Sequence, residues 1–163
     1  MRKSKIKVVL GVDPGLAITG YGVITCQGSR LTMRECGAIK SGPREIFGQR
    51  LDRIYGGLNK IIKKYQPDEI AVEKLFFAKN SKTALKVGEG RGVAMLAAWQ
   101  HGVPIKEFTP LQVKLALTGY GLAPKNQVEK MVKLQLRLKS IPQPDDIADA
   151  LAVAICSSQT KFF

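Results

Sequence analysis

Residues 8–24 read Val8-Val9-Leu10-Gly11-Val12-Asp13-Pro14-Gly15-Leu16-Ala17-Ile18-Thr19-Gly20-Tyr21-Gly22-Val23-Ile24, and their pattern decides the fold. A β-branched run of the kind that fills a buried strand ends in one carboxylate, and Pro-Gly at once turns the chain back into a second apolar run. The expectation is a hairpin with an acid at its lip. An ionised carboxylate beside a buried strand is costly unless hydrogen bonds, a positive partner or a metal compensates it, and a glycine-rich turn lets a large anion approach the backbone. Asp13 is therefore the first candidate site residue. The competing reading is a turn carboxylate that accepts backbone N–H bonds, as Asp before Pro-Gly often does.

Outward from this hairpin, residues 31–39 read as a third antiparallel strand between Gly28-Ser29 and the stop Ser41-Gly42-Pro43. Residues 45–65 change period: Ile46, Phe47, Leu51, Ile54, Leu58, Ile61 and Ile62 recur at three and four, as on an amphipathic helix, despite Gly56-Gly57. Pro67-Asp68 ends that helix, and Ile70-Ala71-Val72 is a short buried strand that stops, like the first, at a carboxylate, Glu73. Residues 81–101 are helical in pattern with Gly88, Gly90 and Gly92 clustered where a helix interior avoids glycine, which leaves a broken helix or a close helix–helix contact in a dimer. Residues 105–108 form a last short strand, and Thr109-Pro110 is a good cap-plus-first-residue pair for a helix. After the loop Gly119-Tyr120-Gly121-Leu122-Ala123-Pro124, a basic amphipathic helix is expected over 125–138 and a final helix from about Asp145.

A chain of 163 residues with 45% hydrophobic content suits one domain, 1–163, with loose ends expected at about 1–5 and 159–163. Lys and Arg number 26 against 13 Asp and Glu, a formal +13, which fits a protein meeting a polyanion better than a small-molecule enzyme. The basic residues are dispersed, so the field comes from a folded surface and not from a tail. Cys26, Cys36 and Cys156 form no CxxC pair and read as buried free thiols in a reducing compartment. The basic N-terminus has no signal-peptide h-region and no apolar run reaches membrane length, so a cytoplasmic location is expected.

The final helix holds a third acidic feature. Asp146 and Asp149 are three apart and share a face, and from Ile147 to Cys156 the helix is apolar nearly all round, leaving Asp149 little solvated surface. Acids in a first helical turn are favoured by the helix dipole alone, which is the competing explanation. Suppose Asp13, Glu73, Asp146 and Asp149 converge. Like charges ~4 Å apart repel by roughly 4 kcal/mol per pair at an effective dielectric near 20, so such a site would protonate, splay or take up a divalent cation. Hard oxygen donors without His or Cys suit Mg²⁺ or Mn²⁺, and two such ions can activate a water and stabilise the leaving 3′ oxygen of a phosphodiester. A carboxylate cluster inside a basic protein is a nuclease arrangement.

These residues resemble the bacterial RuvC family of Holliday-junction resolvases over almost the whole chain. The likeness rests on the opening Gly-Val-Asp-Pro-Gly-Leu-Ala-Ile-Thr-Gly-Tyr-Gly-Val, on Val72-Glu73-Lys74-Leu75-Phe76, and on the closing Asp146-Ile147-Ala148-Asp149-Ala150-Leu151-Ala152-Val153-Ala154-Ile155. Each motif alone is moderately specific; the three in this order are strongly so. The resemblance implies an α/β, ribonuclease H-like fold: a mixed five-stranded sheet of three antiparallel and two further parallel strands, flanked by helices. It also implies a homodimeric endonuclease that resolves four-way DNA junctions by paired, symmetric, Mg²⁺-dependent nicking in recombination and repair, served by branch-migration proteins. Two ions per site would be held by Asp13, Glu73, Asp146 and Asp149, the third acid being Asp146 where some relatives have His. By position Phe76 matches an aromatic that stacks on an unpaired base, a contact worth ~1–3 kcal/mol. Phe77 stands where Met is common, and Lys79 and Lys82 are further expected DNA contacts. Lys114 and Lys125 match two active-site lysines that would meet the scissile phosphate. Lys74 departs from a place that is commonly uncharged or acidic. Two other classes compete. An actin-like or sugar-kinase ATPase needs a larger duplicated chain with a second Asp-x-Gly element, and a silent junction-binding module would have lost acids that are all present.

Overall fold

The structure, a computed structural model, describes residues 5–74 and 81–160, the side chains of 81–84 and 86 excepted. Among these residues ten elements follow in the order β1 (Lys7–Asp13), β2 (Ile18–Gln27), β3 (Arg30–Lys40), α1 (Phe47–Tyr65), β4 (Glu69–Glu73), α2 (Ser81–Gln100), β5 (Ile105–Phe108), α3 (Pro110–Thr118), α4 (Lys125–Gln135) and α5 (Asp145–Gln159). The Pro-Gly turn folds β2 back on β1 with Asp13 opposite Gly20, and β3 continues the antiparallel run. β4 joins the other edge of β1 in parallel, and β5 extends it in parallel. The order β3-β2-β1-β4-β5 is the mixed sheet that the resemblance implies.

Alternation along the strands sends successive side chains to opposite faces. Leu10, Val12, Val23, Ile70 and Val72 pack with Ile54 and Leu58 of α1 and Ala94, Ala97 and Ala98 of α2. Val9, Ile24, Ala71 and Phe108 pack on the other face with α3, α4 and α5. Two steps beyond Val9 and Gly11 on the same face stands Asp13, and two steps beyond Ala71 stands Glu73. The period of two therefore delivers both strand-end acids to the α5 side. α3 opens with a reciprocal cap, Gln112 N–H to Thr109 Oγ1 at 3.1 Å and Thr109 N–H to Gln112 Oε1 at 2.8 Å, and closes on Gly119 at φ 74°.

Several expectations need correction. Ile46 and Phe47, read as part of the α1 stripe, are exposed, because the helix begins only at Phe47 and its first turn overhangs the core. α4 stops at Gln135, short of 138, because Arg137 adopts a left-handed backbone with φ 53°. The cysteines are free, but Cys36 is half-buried while Cys26 and Cys156 are buried. Gln159 closes α5 and donates from Nε2 to Gln135 Oε1 at 2.7 Å. Gly90 is buried by its own chain: a Cβ there would meet the Gly15 carbonyl carbon at 3.2 Å, whereas Gly92 faces open space.

Glu69, unremarked in the sequence, is the most buried acid of the sheet at 2% exposure. It pairs with Lys7 at 2.7 Å and Lys106 at 2.8 Å, and Ser157 Oγ of α5 donates to Oε1 at 2.5 Å. Burial alone would raise its pKa, but the bonds from Lys106, Lys7 and Ser157 outweigh it and hold the carboxyl below its ordinary range. A depressed folded pKa stabilises the protein above the unfolded value, about 4.3, and that contribution is lost as pH falls through the folded value. Glu69→Gln should therefore cost about 2 kcal/mol at neutral pH, less than for a fully enclosed pair because both lysines reach water. In denaturant titrations the gap between Glu69→Gln and the parent chain should close below about pH 4; a gap independent of pH would contradict the charge assignment.

Candidate active site

Asp13 and Glu73 end two adjacent parallel strands, with Val12 beside Val72 one residue earlier. Ligands in open α/β sheets characteristically bind at such carboxyl ends. The Pro14–Ala17 turn is tied by Thr19 Oγ1 donating to the Gly15 carbonyl at 2.7 Å, and by Ser41 Oγ donating to the Leu16 carbonyl at 2.6 Å. These bonds come from Thr19 and Ser41, not from Asp13. A Cβ on Gly15 would lie 2.3 Å from the Ile18 carbonyl oxygen, so the turn has room only for glycine.

The second pair of acids arrives on α5, which lies along a trench cut by three glycines. A Cβ on Gly11 would sit 1.9 Å from the Ala150 carbonyl oxygen, one on Gly20 2.0 Å from the Asp146 carbonyl oxygen, and one on Gly22 2.4 Å from Leu151 Cδ2. Without side chains at these points the helix backbone rests on the hairpin, and Asp146 and Asp149 come to the end of β1.

The electrostatics register that convergence. Asp13 has its pKa pushed up to about 7 by burial first, then by the negative charges of Asp149, Asp146 and Glu73, with Lys125 opposing. Glu73 is raised by burial and by Asp149 against Lys114 and Lys125, and Asp149 is raised by burial, against its bond from Lys125. Burial disfavours the Lys125 ammonium, but hydrogen bonds to Asp145 and Asp149 outweigh this and hold its pKa above the ordinary value. Lys125 Nζ donates to Asp149 Oδ2 at 2.9 Å and also to Asp145 Oδ2. A cleft of about 270 Å³ is lined by Glu73, Lys114, Lys125 and Asp149 over Val113, Val128 and Ala152. A larger groove of about 610 Å³ along α1 has mixed charges and no converging acids, so chemistry and not size marks the site.

The four carboxylates offer only hard oxygens, and their mutual repulsion is the condition a divalent cation relieves, so the donor set fits Mg²⁺ or Mn²⁺. Among the described residues no three acidic side chains are drawn close enough to clasp an ion as they stand. The Lys125 ammonium meanwhile offsets part of the charge.

The structure brings together Asp13, Glu73, Asp146, Asp149, Lys114 and Lys125. Phe76, Phe77 and Lys79 lie outside the described residues, and Lys82 is on α2 with its side chain outside the description. Two neighbours escaped the sequence reading. Asp145 shares Lys125 with Asp149, and its adjacency to Asp146 was the available signal. Arg91, only 11% exposed in its side chain, donates from Nη1 to the Glu73 carbonyl at 2.9 Å and pairs through Nη2 with Glu107 of β5. A lone arginine in a small-residue helix was its only signal.

A model of the family described as "Crossover junction endodeoxyribonuclease RuvC" matches residues 9–157. A protein of that name from Pelotomaculum thermopropionicum is 54% identical over 149 residues, covering 91% of each chain. Among solved structures, Thermus thermophilus RuvC in complex with a Holliday junction substrate superposes with a TM-score of 0.89 at 36% identity, over 94% of this chain and 93% of that one. The yeast mitochondrial Holliday junction resolvase Ydc2, at 13% identity, shares the fold with a TM-score of 0.70, over 94% of this chain and 78% of that one.

Arg91→Ala should leave Glu107 and the Glu73 carbonyl without this partner and cost about 2 kcal/mol in denaturant unfolding. The Lys74 amide, which bonds the Phe108 carbonyl at 2.7 Å next to Glu73, should exchange its hydrogen faster in the variant. Unchanged exchange at Lys74 would show that Arg91 does not hold this strand end.

Proposed function

The chain belongs to the RuvC family of crossover junction endodeoxyribonucleases, and from that footing we propose that it resolves four-way (Holliday) DNA junctions by cutting two strands at symmetric positions. The supporting observation is the meeting of four acids, drawn from β1, β4 and α5, with two lysines at one end of a sheet in a chain of net charge +13. When bound, two Mg²⁺ or Mn²⁺ ions held by Asp13, Glu73, Asp146 and Asp149 would supply a nucleophilic hydroxide at neutral pH and charge stabilisation for the leaving 3′ oxygen. The chain's own residues set the conditions. Burial beside the sheet withdraws the acids partly from water and strengthens the charge interactions among them. Lys114 and Lys125 line the same cleft, where an ammonium can meet a phosphate oxygen and stabilise charge that develops on it. Lys125 exchanges Asp149 for that phosphate, so charge balance passes from an internal pair to the substrate.

The dispersed cations supply phosphate contacts independent of sequence. Phe76, by its match to the family's stacking aromatic, would hold an unpaired base at the junction centre, and Phe77, Lys79 and Lys82 are further expected DNA contacts. Action on chromosomal DNA favours a cytoplasmic location; among the described residues no helix is long and apolar enough to cross a membrane. Branch-migration proteins are the expected collaborators. Retention of all four acids disfavours a silent binding module.

Paired cuts require paired sites, and a single-site chain obtains them as a C2 homodimer. The supporting surface is α2, where Leu85, Gly92, Leu96 and Trp99 recur at seven, four and three along one face. Trp99 is 82% exposed, and no neighbour within 4 Å of an added Cβ fills the space over Gly92. The glycine suited to close helix approach is thus Gly92; Gly90 is used internally.

Asp13→Asn, Glu73→Gln, Asp146→Asn and Asp149→Asn should each abolish Mg²⁺-dependent cleavage of a synthetic four-way junction, while gel-shift affinity stays within about threefold, because the acids serve the chemistry and the cations serve the DNA. Normal turnover in any two of them would remove the site assignment. Light scattering should give twice the chain mass, and Trp99→Asp should shift it to the monomer. Mixed dimers of parent and Asp13→Asn chains should nick one strand of the junction; two cuts from a monomeric Trp99→Asp chain in one binding event would refute the dimer.

A further inference from the structure

α4 begins at the acids and leads away from them. Its last turn opens a groove of about 460 Å³ lined by Lys130, Met131, Lys133, Leu134, Arg137 and Leu138. None of these residues lines the acid cleft, and at 1.5 Å per residue Leu134 lies ~13 Å along the axis from Lys125. Among the described residues the groove joins three cations to three aliphatic or thioether side chains, with no acid in its lining. Val128 and Val132 already serve the core from the buried side of α4, while Leu134 is left 69% exposed.

Arg137 is an independent observation at the same place. α4 ends in a Schellman motif, with the Leu138 N–H on the Lys133 carbonyl at 2.9 Å and the Arg137 N–H on the Leu134 carbonyl at 3.2 Å. Arg137 occupies the left-handed position of that motif at φ 53°. Glycine is the usual residue there, since an L side chain makes the conformation unfavourable. The chain instead keeps a long cation, and that cation lines the groove.

The mixture of charge and hydrocarbon selects the occupant. Grooves that follow single-stranded nucleic acid combine cations with aromatic platforms for the bases, and none of the described residues that line this groove is aromatic. A phosphate backbone would use the cations and gain nothing from the exposed Leu134, beside which Met131 and Leu138 line the groove from half-buried positions against the core. A peptide in which carboxylates flank apolar side chains satisfies both halves. We propose that this groove docks an acidic segment of a partner protein, which seats an apolar side chain on Leu134 and Leu138 and pairs its carboxylates with Lys130, Lys133 and Arg137. A partner held there leaves the acid cleft open, so docking and DNA cleavage can proceed together.

The probe is a short fluorescein-labelled peptide in which aspartates flank two leucines, titrated against the full chain by anisotropy, with a second peptide in which both leucines are serine. Saturable binding of the first peptide is expected, with the serine peptide about tenfold weaker. Leu134→Ser should weaken the leucine peptide about tenfold while four-way-junction affinity and cleavage hold, and Lys133→Glu should weaken that peptide about tenfold. Arg137→Gly guards against misfolding as the cause, because it relieves the left-handed strain: the thermal midpoint should not fall, yet peptide affinity should. Equal binding of the two peptides would reduce the effect to polyanion attraction and overturn the proposal, as would no saturable binding. Loss of junction affinity in Leu134→Ser would overturn it by making the groove a DNA surface.

Discussion

The contact of α5 with the β1–β2 hairpin is the constraint on which the rest depends. Helix and sheet meet here backbone to backbone, because Gly11, Gly20 and Gly22 present no side chains along the line of contact. Such an approach needs a helix whose own near face is small, and Ala150 and Ala154 provide it. The apolar side chains of α5 then reach sideways to fill the space between the sheet and α3 and α4. Three residue choices that would weaken a strand in isolation thereby fix the depth at which α5 sits, and with it the place of two of the four acids.

The site is electrostatically unfavourable by construction. Each carboxylate is partly withdrawn from water and faces others of the same sign, which is why the pKa of Asp13 is pushed up to about 7 and those of Glu73 and Asp149 are raised. Among the described residues the opposing charges are few: Lys125 is bonded to Asp149 and Asp145, and Lys114 acts on Glu73. At the opposite end of the sheet Glu69 meets two lysines and a hydroxyl and is held ionised. The same sheet thus satisfies one buried carboxylate fully and leaves another group in want of positive charge. That contrast separates an acid kept for stability from acids kept for chemistry.

Much of this was legible in the residues, and the remainder failed for physical reasons. Asp13 and Glu73 could be read because each ends a β-branched run, and strand ends are where an acid escapes the sheet without leaving it. Asp146 and Asp149 could be read because the helix after them has so little polar face. Glu69 could not: it opens β4 after Pro67-Asp68, where an acid looks like the margin of a turn, and its partners are far away in the chain. Arg91 was hidden in the same way, since its role depends on a carbonyl and on Glu107 of a later strand. The glycines of α2 were legible as a sign of close packing but not as to what packs. Gly90 answers to the Pro14-Gly15 turn in its own chain, and nothing local distinguishes it from Gly92 two residues on.

The bond from Ser157 to Glu69 has a metrical consequence. Eight helical residues separate Asp149 from Ser157, a span of ~12 Å, and four strand residues separate Glu73 from Glu69, a span of ~13 Å. The two rulers agree to within about one helical step of 1.5 Å. α5 runs antiparallel to β4, so seating Ser157 on Glu69 at one end brings Asp149 level with Glu73 at the other. A deep hydroxyl–carboxylate bond remote from the acids thus works as a gauge block, converting a fixed point in the dry interior into the separation of two carboxylates at the rim.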